Sequence, residues 1–219
     1  MESTCASGFE AVVLVANFIC TGPLADGRAM IQPLLDLQPL NTNVSYIPWS
    51  EVSYTATYGQ PAKTCGQSVS VVPQSPNLYQ IDVGALAAAV NHINETIPSD
   101  PALYGFVFAF TQYAPDGFKN GPKAGSAFPW REVAMFAQMD GMASTSESVP
   151  KIASFGKNFR DLLQKTSGRD KPEVYTHFAH GDEGAVAWYG EDNDNRLRML
   201  KSRYDPASIL SFYNSVETD

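Results

Sequence analysis

Apolar and polar residues alternate with a period of two over "YGFVFAFTQYA", residues 104 to 114, setting Phe106, Phe108 and Phe110 against Val107, Ala109 and Thr111. That period, with its aromatic enrichment, predicts a strand. "FPWREVAMFAQM" at 128 to 139 predicts a second, and the linker between the two is too short for a parallel crossover, so they should pair antiparallel. "FEAVVLVANFIC" at 9 to 20 reads as a strand apolar enough to be central. Further strands are expected in "VSYIPWSEVSYTAT", 44 to 57, ahead of a short turn, and in "EVYTHFAH", 173 to 180.

Helical spacing appears in "GALAAAVNHINETI", 84 to 97, where Leu86, Val90, Ile93 and Ile97 share a face and Pro98 ends the run. Residues 148 to 168 put Ile152, Phe155, Phe159, Leu162 and Leu163 in register, with Pro150 near the start and Gly168 past the end. "GPLADGRAMIQPLLDL" at 22 to 37 reads as a helix interrupted near Pro33, and "NDNRLRMLKSRY" as one ended by Asp205-Pro206. The acidic run from Glu191 to Asp194 is placed to cap that last helix. Residues 59 to 80, punctuated by Gly, Pro and Ser, are expected to be the least regular. The order predicts an α+β fold: one domain over residues 1 to 219, a mostly antiparallel sheet with helices on one face, and an open sheet face forming a pocket.

Composition narrows the partners. A net charge of -8 argues against nucleic acid and against an anionic membrane surface. No apolar run approaches the roughly 20 residues of a membrane span. The acidic start "MESTCASGFE" is unlike a secretory signal, which points to the cytoplasm. Cys5, Cys20 and Cys65 are an odd, scattered set suited to a reducing compartment.

Two of the three histidines, His177 and His180, stand three positions apart. On a strand His177 would face the open side as a candidate acid/base, and His180 the opposite side. The competing reading is a hydrogen-bonded edge histidine. "HGDE" at 180 to 183 lacks metal-ligand spacing and reads as a solvated loop, so no metal is expected. Phe108, Phe110 and Tyr113 are candidate pocket residues, with plain core packing as the alternative, and Arg131 is placed to meet an anionic group or a surface carboxylate.

The end of the chain resembles the terminal segment of berberine-bridge-enzyme-like FAD-linked oxidases, particularly fungal ones. The residues carrying this are Tyr189-Gly190-Glu191-Asp192-Asn193, Arg196-Leu197, Lys201 and Tyr204-Asp205-Pro206, within a segment of about 172 to 216. "IPW" at 47 to 49 and "AFPWRE" at 127 to 132 are also similar to that family's substrate domain. The resemblance implies an antiparallel sheet whose open face roofs a flavin ring, and flavin-dependent oxidation of a small organic molecule in fungal secondary metabolism. FAD is implied by the resemblance only. Nothing in the sequence resembles the family's flavin-attachment or pyrophosphate motifs, so this chain alone is not expected to bind it. Flavin would have to come from a partner chain carrying a FAD domain or from sequence beyond this stretch; a separate expectation is a binding module that covers the open sheet face with a second copy of this chain.

The family's Tyr-x-Asn-Tyr is here Tyr175-Thr176-His177-Phe178: an amide has become an imidazole and a phenol has lost its hydroxyl. This places Tyr175 and His177 as candidate catalytic residues and Phe178 in the pocket. It also opens an alternative, a flavin-independent cyclase or isomerase that reuses the pocket for ring formation.

Overall fold

The computed structural model of the chain describes residues 14–56, 65–66, 68–121 and 125–218. They fall into two compact units, one spanning Val13–Ser68 and the other containing Val69–Asp219.

In the smaller unit, helix α1 (Leu24–Leu35) takes Pro33 into its last turn and ends two residues later. Pro48 then opens a 3-10 turn, Trp49–Glu51, which leads into the short α2 (Val52–Thr55). Proline suits this position because its missing N–H is not needed in a first turn. Two strand expectations fail here. Residues 14–20 have no regular structure, with Leu14, Val15, Phe18 and Ile19 exposed, and residues 9–13 lie outside those described. Residues 44–48 are likewise irregular, and residue 57 lies outside the described set. An apolar run needs a neighbouring ladder to become a strand, and the smaller unit has none among its described residues.

The larger unit holds the sheet. β1 (Ser70–Gln74), β2 (Asn77–Leu78) and β3 (Val107–Thr111) all pair antiparallel with the long β4 (Met135–Ala143). Gln74 faces Met139 and Asn77 faces Phe136, so β1 and β2 keep one register along the same side of β4. They are one strand broken at Ser75-Pro76. The Ala137 amide donates to the Pro76 carbonyl, but Pro76 has no N–H to return. Ladder parity then turns Pro73, three residues earlier, toward the outer edge, where its missing donor does no harm. This is why residues 70–78, expected to be irregular, form strand: the prolines fall where the ladder tolerates them. Of the rest of that stretch, 59–64 and 67 lie outside the described residues.

Helices α3 (Val83–Thr96), α4 (Asp116–Lys119) and α5 (Val149–Gln164) follow the pattern's expectations, with α4 an added single turn. The Asp82 carboxylate caps α3 by accepting from the Ala85 N–H. α3 and α5 bury one face of the sheet. Ile152, Phe155, Phe159 and Leu163 project from α5 onto Val72, Met139 and Ala137, and each is at most 8% exposed. Burying such side chains stabilises the fold by about 1.5–3 kcal/mol apiece. Two glycines let α5 lie against the strands. A Cβ on Gly141 would stand 2.0 Å from Ile152 Cγ2, and one on Gly156 would stand 2.7 Å from Gln74 Cγ.

Strand β4 begins seven residues later than the sequence suggested. Pro129 and a turn in which the Arg131 N–H bonds the Pro129 carbonyl hold 128–131 off the sheet. The segment 173–180 runs beside the β1–β2 edge but makes no ladder. The Asn77 N–H donates to the Glu173 carbonyl, yet the Tyr175 N–H is taken by the Asn77 side chain, and a 3-10 turn follows at Thr176–Phe178. The chain closes with α6 (Ala185–Tyr189) and α7 (Glu191–Tyr204). Glu191, Asp192 and Asp194 lie inside the first turn of α7, where they favour the positive end of the helix dipole, while Gly190 is the cap residue.

Candidate active site on the open sheet face

Strand register decides what the uncovered face presents. Side chains facing one another across antiparallel strands share a face. Phe136 is opposite Thr111 and Asn77, Gln138 is opposite Ala109, and Asp140 is opposite Val107 and Pro73. These lie on the side away from α5, where Val71 and Val107 remain about half exposed. At one end of this face sits a polar pair, and at the other an aromatic cluster.

The pair is Gln138 and Asp140, two residues apart on β4 and therefore on one face. Gln138 Nε2 donates to Asp140 Oδ2 at 2.5 Å. Burial pushes the Asp140 carboxyl above the ordinary carboxylate range, and the Gln138 hydrogen bond pulls the other way. A carboxyl so placed can hold a proton at a milder pH than a surface aspartate, which suits acid/base work. The sequence pattern carried a signal for this pair, because Gln138 and Asp140 are the polar members of an alternating strand. The expected boundary at residue 139 cut the strand between them.

The aromatic cluster forms around Phe136. Tyr175, Tyr113 and Phe128 lie 5.5, 6.0 and 6.4 Å from it between ring centroids. Tyr175 in turn contacts His177 at 5.0 Å and Phe178 at 5.1 Å. The candidates Tyr113, Tyr175, His177 and Phe178 are thus brought together through Phe136. Arg131 reaches the cluster from the side, 5.6 Å from the Phe128 ring centroid, with its guanidinium on the Phe118 carbonyl. It also lines a shallow cleft of about 220 Å³ with Phe128, Pro129 and residues 189–193.

Phe108 and Phe110 lie elsewhere. Both point from β3 to the helix-covered face, and Phe108 packs on Phe106 and Phe159, each at 4.8 Å. Phe108 belongs to the core, because the period of two that made β3 recognisable also fixes the side its phenylalanines occupy. Phe110, on the same side, is partly exposed near the strand end.

The two histidines are held by a turn rather than on the two faces of a strand. His177 is exposed, on the 3-10 turn. His180 Nδ1 is 3.1 Å from the Pro73 carbonyl. A carbonyl only accepts, so Nδ1 carries the proton in this bond. His180 is therefore an edge histidine closing the outer side of β1. The "HGDE" loop is not simply solvated. Glu183, its side chain 1% exposed, accepts from Arg160, from the His180 and Gly181 amides, and from Trp188 Nε1. Arg160 also forks onto Asp182 at 2.5 and 2.9 Å and holds that carboxyl below its usual range. The tail completes this corner: Tyr213 Oη donates to the His180 carbonyl and Asn214 Nδ2 to that of Thr176.

Whether these residues suit FAD turns on its diphosphate, which needs backbone N–H donors or cations. Each long helix among the described residues offers carboxylates at its N-terminus instead. Asp26 is in the first turn of α1, Asp82 occupies the cap of α3, Glu147 precedes α5, and Glu191, Asp192 and Asp194 open α7. The described residues do not fit the diphosphate.

No family model matches the chain. Curated relatives do. Over 214 residues the chain is 29% identical to the FAD-linked oxidoreductase fogF of Aspergillus ruber, covering 93% of this chain and 42% of that protein. It is 28% identical over 220 residues to the FAD-linked oxidoreductase tazG of Aspergillus terreus, covering 97% and 45%. The homologues of this chain are FAD-linked oxidoreductases. The chain spans about two fifths of the length of these relatives. Among solved structures, Physcomitrella patens BBE-like 1 superposes with a TM-score of 0.71 at 14% identity, over 90% of this chain and 43% of that one. Berberine bridge enzyme from Eschscholzia californica does so with a TM-score of 0.68 at 10% identity, over 90% and 44%. At those identities the likeness is one of fold: the α+β architecture is that of the berberine-bridge-enzyme-like proteins. Among the described residues no helix is long and apolar enough to cross a membrane.

Proposed function

We propose that this chain supplies the substrate face of a FAD-linked oxidoreductase acting on a small organic molecule in fungal secondary metabolism. Asp140 is the group on that face that takes up or returns a proton. Tyr175, His177 and Tyr113 flank the bound molecule, and Phe178 backs Tyr175. The observation that carries the reading is the half-buried Asp140, with its raised proton affinity, on the sheet face away from α3 and α5 that also carries the Phe136 aromatic cluster. The FAD-linked relatives support the reaction class. In this reading the flavin is held by residues other than those described, on a partner chain or elsewhere.

The test uses the 219-residue chain. Incubated with FAD and desalted, it is expected to emerge without a flavin band. Titrated with small aromatic alcohols and phenols, its Asp140, Tyr175 and His177 resonances are expected to shift, and Asp140→Asn is expected to weaken or abolish the response. Ligands that perturb only the α3–α5 side would sink the proposal.

The alternative, a flavin-independent cyclase or isomerase on the same face, is favoured by the carboxylates at the helix N-termini. Ring closure of a substrate without flavin, lost in Asp140→Asn, would decide for it.

A further inference from the structure

We infer that Gln138 is the positioning residue for Asp140: its amide holds Oδ2, leaves Oδ1 as the oxygen offered to a bound molecule, and sets the pH at which the carboxyl exchanges its proton. The inference rests on the proposed role of Asp140, but its physical content can be measured without any substrate.

Geometry carries it. Residues two apart on a strand point the same way, about 7 Å apart. A side chain of glutamine length can lie along the face and place an uncharged N–H on the neighbouring carboxylate. Gln138 does this at 2.5 Å, and it is the one side-chain donor to the Asp140 carboxylate among the described residues. A glutamine amide stays neutral across the whole working range, so it favours the ionised carboxylate without introducing a charge that salt or pH would alter.

The surroundings leave Gln138 as the deciding neighbour. The strand positions around Asp140 are Met142 on β4, Val71, Pro73 and Ser75 on the β1 side, and Val107 and Ala109 on β3, none of them ionisable. Among the described residues, the ionisable groups on elements packed nearby are His180, bonded to the outward carbonyl of Pro73, with Glu183, Asp182 and Arg160 behind it, and Tyr113, Tyr175 and His177 around or beyond Phe136. Burial and Gln138 are the two influences on Asp140, and they oppose one another.

The experiment follows the Asp140 carboxyl carbon by NMR in the full chain, labelled at aspartate, as pH is varied. Gln138→Leu keeps the bulk and removes the donor, and the Asp140 titration is expected to move up by about one unit. Gln138→Glu is expected to raise it as well, because a like charge replaces the donor. If Gln138→Leu fails to fold, Gln138→Met, which likewise keeps the bulk and lacks the donor, gives the same reading. A titration midpoint unchanged in a folded variant overturns the inference, as would a downward shift. Should the midpoint move as expected while Asp140→Asn binds ligands like the parent chain, the positioning inference stands and the proposed role of Asp140 falls.

Discussion

Asp140 and Asp182 bear opposite relations to pH, and the difference comes from their neighbours. Asp182 meets a guanidinium, so its proton affinity is lowered, chiefly by the Arg160 hydrogen bond. Its stabilising contribution is complete above the ordinary carboxylate value of about 3.9 and is lost as pH falls through the depressed folded value. Asp140 lies in apolar surroundings and is raised by burial. Between the ordinary and the raised value the folded chain binds the extra proton, so stability declines as pH rises through that window. Asp140→Asn removes this second dependence. The variant is expected to gain stability relative to the parent as pH climbs from about 4 toward neutrality, read as the difference in urea midpoints across a pH series. A flat difference would mean that the carboxyl is not desolvated. The signature residues of the terminal segment have a different use. Lys201 reaches Asp205, the Leu210 carbonyl and Ser211, while the Asp205 carboxylate accepts from the Ile209 and Leu210 amides. This knot ends α7 and directs the tail back over the His177 turn.

Helix α5 and strand β4 pack more closely than ordinary side chains would permit, and Gly141 is the reason. Gly141→Ala would drive a methyl group into Ile152 Cγ2. The expected cost is about 1–3 kcal/mol, as for other overpacked cores. Adding Ile152→Leu, which moves the branch away from Cβ, should recover part of the loss, and thermal melts of the single and double variants would show it. Helices α3, α5 and α7 and the β3–β4 pairing were legible in the sequence because each has a face repeated over several turns or alternations. The failures share one cause. Residues 14–20, 44–56 and 173–180 have strand-like composition, but a strand also needs a partner edge, which lies far away in sequence and leaves no local mark. Conversely, Pro73 and Pro76 disguised β1 and β2, since a local reading cannot tell which way a proline's missing donor will point.

The two units differ in how much they bury. None of the residues described between 14 and 56 is buried, whereas the larger unit has a continuous core from Val72 to Leu163. Local opening follows the density of buried contacts. Limited proteolysis of the chain is therefore expected to cut first between residues 14 and 56 and to leave a resistant product containing 69–218, identified by mass spectrometry. Cleavage beginning within α5 or β4 would contradict this. The candidate site was partly legible for a related reason. The aromatic and histidine members were visible as residue types, but Phe108 and Phe110 could be assigned to a face only once the side covered by helices was known. Asp140 entered only with the true end of β4.

The broken strand β1–β2 also governs what this protein can be joined to. A free sheet edge invites another chain to add a strand. Along this edge Pro73 has no N–H to offer, the Asn77 N–H is already given to Glu173, and the outward Pro73 carbonyl is closed by His180. An incoming strand would find its hydrogen-bonding positions taken or missing at every second step. Strand addition along this border is therefore disfavoured, and a second sheet joined there edge to edge is not expected.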